Sequence, residues 1–152
     1  MNFKEIINDI GSKAKKASIK LRTLNADKKK MAYECLEENI KDKAKDILQA
    51  NQIDIENAIN NNLAKPLINR LKLNENSISG IIKSIAEIKN QPDPIGKILE
   101  EWSQPNGLQF SKISVPLGVL GVIYESRPNV TVDASCLALK SNNALILRGG
   151  SD

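Results

Sequence analysis

The sequence predicts an α/β chain, with helices first and a strand–helix–strand unit last. Three observations carry that prediction. Apolar residues recur at spacings of three and four through residue 91, Pro92-Asp93-Pro94 breaks the pattern, and two short apolar runs near the end bracket a stretch of helical period. The chain therefore divides into a helical segment over 1–91, a linker and β-hairpin over 92–115, and a βαβ unit over 116–152 that is cut short.

Phe3, Ile6, Ile7, Ile10, Ala14, Ala17 and Leu21 share one face of a first helix. Asn25 offers an N-cap, and Met31, Ala32, Cys35, Leu36, Ile40, Ala44, Ile47 and Leu48 continue the period in a second helix. Short helical pieces fit Ile53–Asn60 and Ala64–Arg70. Asn74 reads as another cap, ahead of Ile78, Ile81, Ile82, Ile85 and Ile88 on one face. Proline cannot continue a helix and pushes its predecessor to extended geometry, so Pro92-Asp93-Pro94 closes the helical part.

Lys97–Gln104 and Leu108–Val115 flank Pro105-Asn106-Gly107. Asn-Gly between extended runs predicts a hairpin because both residues tolerate positive φ. Glu100, Lys112 and Ser114 alternate with Leu99, Ile113 and Val115, the pattern of a half-exposed ribbon. Val119–Tyr124 and Ala144–Leu147 read as buried strands, and Val130–Lys140 between them as a helix closed by Asn142-Asn143 in the left-handed conformation. Such a unit is the minimal right-handed crossover of a parallel sheet. Its strands are apolar all round and need neighbours on each side. The chain runs out at Gly149-Gly150-Ser151-Asp152, where a doubly wound fold places a ligand loop, so the sequence predicts a piece of a longer chain.

Composition removes several function classes. Aromatic residues are 3% of the 152, so the core must be built from Ile, Leu, Val and Ala. Histidine is absent, which takes away the commonest general base, and with no paired cysteines a metal site is not expected. Cys35 and Cys136 stand alone on helix faces as packing residues, which suits a reducing, cytoplasmic compartment. No apolar run approaches a membrane span, and Met1–Ile10 lacks the pattern of a secretory signal. The net charge is +4, yet the lysines are interleaved with acids, and Lys28-Lys29-Lys30 is expected on a solvated helix face.

Two stretches carry candidate chemistry. Glu125-Ser126-Arg127-Pro128-Asn129 follows the first strand, where open α/β sheets hold ligands. Arg127 suits a carboxylate or phosphate, and Asn129 suits a developing oxyanion. The competing reading makes Asn129 a helix cap and Arg127 a surface residue. Arg148-Gly149-Gly150-Ser151 follows the second strand, where two glycines let backbone approach a ligand; the competing reading is an ordinary turn.

The stretch Val115-Pro116-Leu117-Gly118-Val119-Leu120-Gly121-Val122-Ile123-Tyr124-Glu125-Ser126-Arg127-Pro128-Asn129-Val130-Thr131-Val132-Asp133 resembles the signature of the γ-glutamyl phosphate reductases, of the aldehyde dehydrogenase superfamily. Leu139-Lys140-Ser141-Asn142-Asn143-Ala144-Leu145-Ile146-Leu147-Arg148-Gly149-Gly150-Ser151 continues it in register, with Asn142 where the family usually has Gly. The resemblance implies the opening βαβ unit of a Rossmann-like aldehyde dehydrogenase fold, left incomplete, with a hairpin of the bridging or oligomerisation type. It implies NADPH-dependent reduction of L-glutamyl 5-phosphate to L-glutamate 5-semialdehyde in proline biosynthesis, through a cysteine thioester whose cysteine lies beyond residue 152. Asn129 matches the oxyanion-holding asparagine. Arg148 matches a basic residue near the adenosine ribose, with Gly149, Gly150 and Ser151 lining the same edge of NADPH/NADP, and Arg127 is assigned to a substrate anion. A full-length homo-oligomer and a contact with glutamate 5-kinase are implied as well, with no nucleic-acid or membrane partner.

Two further readings are set against this one. A basic helical module for nucleic acid would need aromatic stacking residues along a Lys/Arg stripe, and Phe3, Tyr33, Trp102, Phe110 and Tyr124 are scattered. A stand-alone, non-catalytic nucleotide-binding or scaffold domain is discriminated by whether a cysteine motif follows in frame.

Overall fold

Side-chain caps set three of the helix starts in the computed structural model, which describes residues 2–150. Asn2 Oδ1 accepts from the Lys4 N–H at the start of α1 (Phe3–Leu21), and Asn25 Oδ1 accepts from Lys28 N–H at the start of α2 (Ala26–Asp42). Asn74 and Ser77 exchange side-chain-to-backbone bonds in a capping box that opens α5 (Glu75–Asn90). Between α2 and α5 lie α3 (Ala44–Asn60) and the short α4 (Lys65–Leu71). Asn62 ends α3 at a φ of 55°, with Asn62 N–H bonded to Ile59 and Leu63 N–H to Ala58, the paired bonds of a Schellman closure.

The expected second helix from Met31 to Leu48 is in fact divided. Lys43, at φ −97° and ψ 9°, separates α2 from α3, and α3 absorbs the piece expected separately at Ile53–Asn60. The Lys43 N–H still bonds Asn39, and its carbonyl still accepts from Ile47, so the apolar period runs across the kink unbroken.

The main core sits where α2, α5 and α6 (Pro128–Lys140) meet. Tyr33, Ile40, Ile78, Ile81, Ile85, Ile88 and Cys136 are buried together, and Leu36, Ile47, Val132 and Leu139 pack against them. Ile85 is fully enclosed, which is worth about 2–3 kcal/mol of transfer free energy. Tyr33 Oη donates to Cys136 O at 2.9 Å, and burial holds its phenol well above the ordinary range. A second, smaller cluster of Ile55, Ala58 and Leu71 joins α3 to α4.

One lysine is buried beside the main core. Lys29, expected on a solvated face with Lys28 and Lys30, is instead only 3% exposed. Its Nζ donates to Lys140 O at 3.0 Å and pairs with Asp93 at 2.6 Å, which ties the proline linker to α2 and α6. Burial alone would raise the Asp93 carboxyl. The hydrogen bonds from Lys29 and the Ile95 N–H, with the charges of Lys29 and Lys140, hold it below its ordinary value. Cys35, expected in the packing, is exposed, and its Sγ accepts from Asn39 Nδ2 at 3.3 Å.

The hairpin pairs β1 (Ile98–Ser103) with β2 (Gln109–Ile113) antiparallel, with an irregularity between Ile98 and Glu100. Its turn is not the expected Asn-Gly pair at positive φ. Only Gly107 is left-handed, at 86°, because Pro105 fixes the second turn position at negative φ and leaves the reversal to the fourth. Gly107 N–H bonds Gln104 O, and Gln104 N–H bonds Leu108 O across it. The ribbon was expected to be half-exposed, yet every residue of both strands is exposed, with Trp102 stacked on Phe110 at 5.4 Å.

β3 (Val119–Ile123) and β4 (Ala144–Arg148) pair in parallel, joined by α6, as the crossover predicts. They are half-buried, not the fully buried strands expected, because among the described residues their sheet is two strands wide. α1 packs on β4 and β3, and α6 returns against β4 and α5. Asn142, at φ 54°, closes α6 with bonds from Asn142 N–H to Leu139 O and Asn143 N–H to Ala138 O.

Candidate functional site

A parallel pair in register from Val119↔Ala144 to Ile123↔Arg148 brings the carboxyl ends of β3 and β4 to one rim. Gly118, at φ 115°, starts the pair: its N–H donates to Asn143 Oδ1 and its carbonyl accepts from Ala144 N–H. At the far end the Tyr124 N–H bonds Arg148 O at 3.0 Å. The chain then turns at Ser126, which is left-handed at φ 49°, and enters α6 through Arg127 and Pro128.

Asn129 is therefore the second residue of α6, not its cap. Arg127 holds the capping position, with no side-chain cap bond. The Asn129 side chain is exposed and donates through Nδ2 to Asp133 Oδ2 at 3.0 Å. Asp133 Oδ1 accepts from Ser84 Oγ at 2.9 Å, so α5 fixes the carboxylate that in turn fixes the amide. One N–H of the Asn129 amide is spoken for by Asp133, and its second is free to donate into solvent or to a ligand, at the positive end of the α6 dipole.

Tyr124 links the two halves of the rim. Its Oη is hydrogen-bonded to Thr131 Oγ1 at 2.6 Å, either hydroxyl being able to donate, and a methyl group added at Gly149 would lie 3.8 Å from the same oxygen. Nothing in the chain itself forbids a side chain at Gly149, so the glycine is free to present bare backbone outward. Arg148 is exposed, its Nη1 donates to Gly150 O at 3.4 Å, and no carboxylate pairs with it among the described residues. Arg127 is exposed too. Ser151 lies outside the described residues. The rim thus offers an unpaired guanidinium and open glycine backbone, groups able to meet an anionic ligand.

Neither thiol belongs to this rim. Cys136 faces the core at 1% exposure, and burial, with the negative charges of Asp133 and Glu37, pushes it up to about 11. Sequence reasoning missed Asp133 and Ser84. Asp133 carries a legible signal, since a residue four beyond Asn129 on a helix shares its face; Ser84 carries none. It also missed Arg70 and Lys72, which line a cleft of about 300 Å³ with Ser77, Gly80, Ser84, Asn129 and Asp133. Among the described residues there is no cluster of three or more potential metal-binding side chains, and no helix is long and apolar enough to cross a membrane.

No family model matches the chain. It is 50% identical over 143 residues to a gamma-glutamyl phosphate reductase of Bartonella bacilliformis, covering 94% of this chain and 35% of the relative. A gamma-glutamyl phosphate reductase of Caldicellulosiruptor bescii is 46% identical over 149 residues, with 96% of this chain and 36% of the relative covered. Among solved structures, the gamma-glutamyl phosphate reductase of Thermotoga maritima superposes with a TM-score of 0.87 at 39% identity, over 92% of this chain and 34% of that one. That of Saccharomyces cerevisiae gives 0.90 at 33% identity, over 94% and 36%. The chain spans about a third of the length of these relatives.

Proposed function

We propose that the chain is part of a gamma-glutamyl phosphate reductase, a reading supported by its 50% identity to one such relative over 94% of its own length, and that the whole protein is an NADPH-dependent reductase converting L-glutamyl 5-phosphate to L-glutamate 5-semialdehyde in the cytoplasm. The observation that carries the reading is the shared rim, where the exposed Asn129 amide and the unpaired Arg148 guanidinium stand at the carboxyl ends of adjacent parallel strands. NADPH, when bound, supplies the hydride.

The described residues have binding and positioning roles in this reaction. Asn129 keeps one N–H for the oxygen of the substrate's acyl carbon as that oxygen gains negative charge, and the Asp133–Ser84 pair holds the amide in place. Arg148 holds the 2′-phosphate of the cofactor, while Gly149, Gly150 and Ser151 give it bare backbone and a hydroxyl to lie against. Arg127, beside the helix entrance, meets a substrate anion. Cys136 is buried with its proton retained and Cys35 is on α2, away from the rim, so the nucleophile belongs to neither. The exposed β1–β2 ribbon serves as the bridging element of a homo-oligomer, and a contact with glutamate 5-kinase falls under the same reading.

The test is Asn129→Ala in a chain carrying the relatives' full length. Loss of one oxyanion donor lowers kcat by roughly 100-fold or more, on the order of 3 kcal/mol, while the Kd for NADPH measured by fluorescence stays unchanged. Unchanged turnover removes Asn129 from the reaction.

A further inference from the structure

A cleft lies between the α4–α5 connection and α6. Its floor is α5, from Ser77 through Gly80 and Ile81 to Ser84; one wall carries Asn129 and Asp133, the other Arg70 and Lys72. Its volume, about 300 Å³, is at the small end of ligand sites. Arg70 and Lys72 have no hydrogen-bonding or ion-pair partner among the described residues, yet their backbone is fixed. Buried Asn51 donates through Nδ2 to Leu71 O at 2.9 Å and accepts the Leu73 N–H at 2.8 Å, and Leu71 between the two cations is 5% exposed. Two cations are thus presented from a pinned segment and left unneutralised. Gly80 adds an independent sign. A glycine inside a helix costs about 1 kcal/mol, and a Cβ there would meet nothing within 4 Å, so no neighbour in the chain requires it.

We infer that this cleft holds the amino-acid head of the substrate, with Arg70 and Lys72 binding the α-carboxylate and Asp133 facing the α-ammonium. The inference rests on the reductase reading, in which Asn129 marks the acyl carbon. Asn129 Nδ2 and Asp133 Oδ2 lie 3.0 Å apart, so an oxygen on the free amide N–H and an ammonium on the carboxylate, each about 2.9 Å away, can stand about 5 Å from one another. The acyl carbon and the α-amino nitrogen of a glutamyl chain are four bonds apart, on the order of 5 Å. Asp133 spends one lone pair on Asn129 and one on Ser84, and each oxygen keeps another for an ammonium. The phosphate, which departs, needs no fixed pair of cations through the reduction; the head group must be held throughout.

The phosphate-dependent oxidation separates the two anions, because L-glutamate 5-semialdehyde, phosphate and NADP⁺ are then distinct reactants that give glutamyl 5-phosphate, NADPH and a proton. In a chain carrying the relatives' full length, Arg70→Ala and Lys72→Ala each raise the KM for the semialdehyde about tenfold and leave that for phosphate within twofold. Arg70→Lys recovers part of the loss, and Lys45→Ala, an exposed lysine of α3 outside the cleft, serves as the charge control. A rise in the phosphate KM alone overturns the head-group assignment, and no change in either overturns the cleft as a substrate site while leaving the reductase reading intact. Should the unmodified chain show no phosphate- and NADP-dependent turnover, the reductase reading falls. Calorimetry with L-glutamate then decides the cleft: binding abolished by Arg70→Ala upholds it, and no binding refutes it.

Discussion

The two thiols of the chain sit in opposite surroundings. Cys35 is open to solvent on α2, whereas Cys136 is enclosed and raised from 9.0 to about 11. A thiol reagent at pH 8 is expected to modify Cys35 rapidly and Cys136 only after denaturant is added, counted by mass spectrometry of the labelled chain. Because the folded chain keeps the Cys136 proton longer than the unfolded one, its contribution to stability is present below about pH 9 and is lost as pH rises toward 11. Arg148 gives a second test at this scale. Arg148→Ala in a full-length chain is expected to raise the KM for NADPH about tenfold and that for NADH little; equal effects would remove the 2′-phosphate contact. Asn142 shows what a single substitution can add. It stands where the resemblance leads one to expect Gly, holds the left-handed turn, and uses its buried amide to donate to Leu24 O at 3.0 Å, joining the α6–β4 turn to the α1–α2 turn.

Among the elements, the proline linker is the one held by charge. Asp93 is kept ionised below the ordinary carboxylate range, so its pairing with Lys29 is complete above about pH 4 and is lost as pH falls through its lowered value. Asp93→Asn keeps an acceptor oxygen but removes the negative charge that offsets the buried Lys29 ammonium, and is expected to cost about 1–2 kcal/mol at pH 7, discounted for the partial exposure of Asp93. Hydrogen exchange of the α2 amides, corrected for intrinsic rates, should show the difference from the unmodified chain at pH 7 and its loss as pH falls through the lowered Asp93 value. These elements also show what the sequence makes legible. Asn25, Asn74 and Asn142 state the helix boundaries in their own chemistry, and the parallel crossover follows from two apolar runs and the length between them. The kink at Lys43 leaves no mark, because its backbone bonds continue and no proline or glycine announces it. The burial of Lys29 is equally silent, since its partners Asp93 and Lys140 are 64 and 111 residues away. The rim residues Asn129 and Arg148 were readable from their place after strands; Arg70 and Lys72 reach the cleft only through the fold of α3 and α4.

At the scale of the whole molecule, the α2–α5–α6 core is closely packed, whereas α1 and the strands leave apolar side chains in the open: Phe3, Ile6, Ile7 and Ile10, expected on one packed face of α1, are all exposed. Leu117 is 83% exposed and Ile123 85%, and a groove of about 600 Å³ runs along β4, lined by Ile10, Ala17 and Leu21 of α1 with Leu139, Leu145 and Leu147. The 152-residue chain by itself is expected to bind a hydrophobic dye and to melt over a broad range, with the α2–α5–α6 core outlasting the sheet. A single sharp calorimetric transition without dye binding would contradict this. The β1–β2 ribbon has its own consequence. It makes its extensive contacts only with itself, and its base is fastened by Gly96 N–H to Ser114 O, Lys97 N–H to Ser114 Oγ, and Ser114 Oγ to Pro94 O. Five residues of strand carry the tip about 17 Å from that base. A tilt of about 10° at that base would sweep Pro105 through roughly 3 Å, so the ribbon is a lever whose fulcrum is the set of bonds made by Ser114.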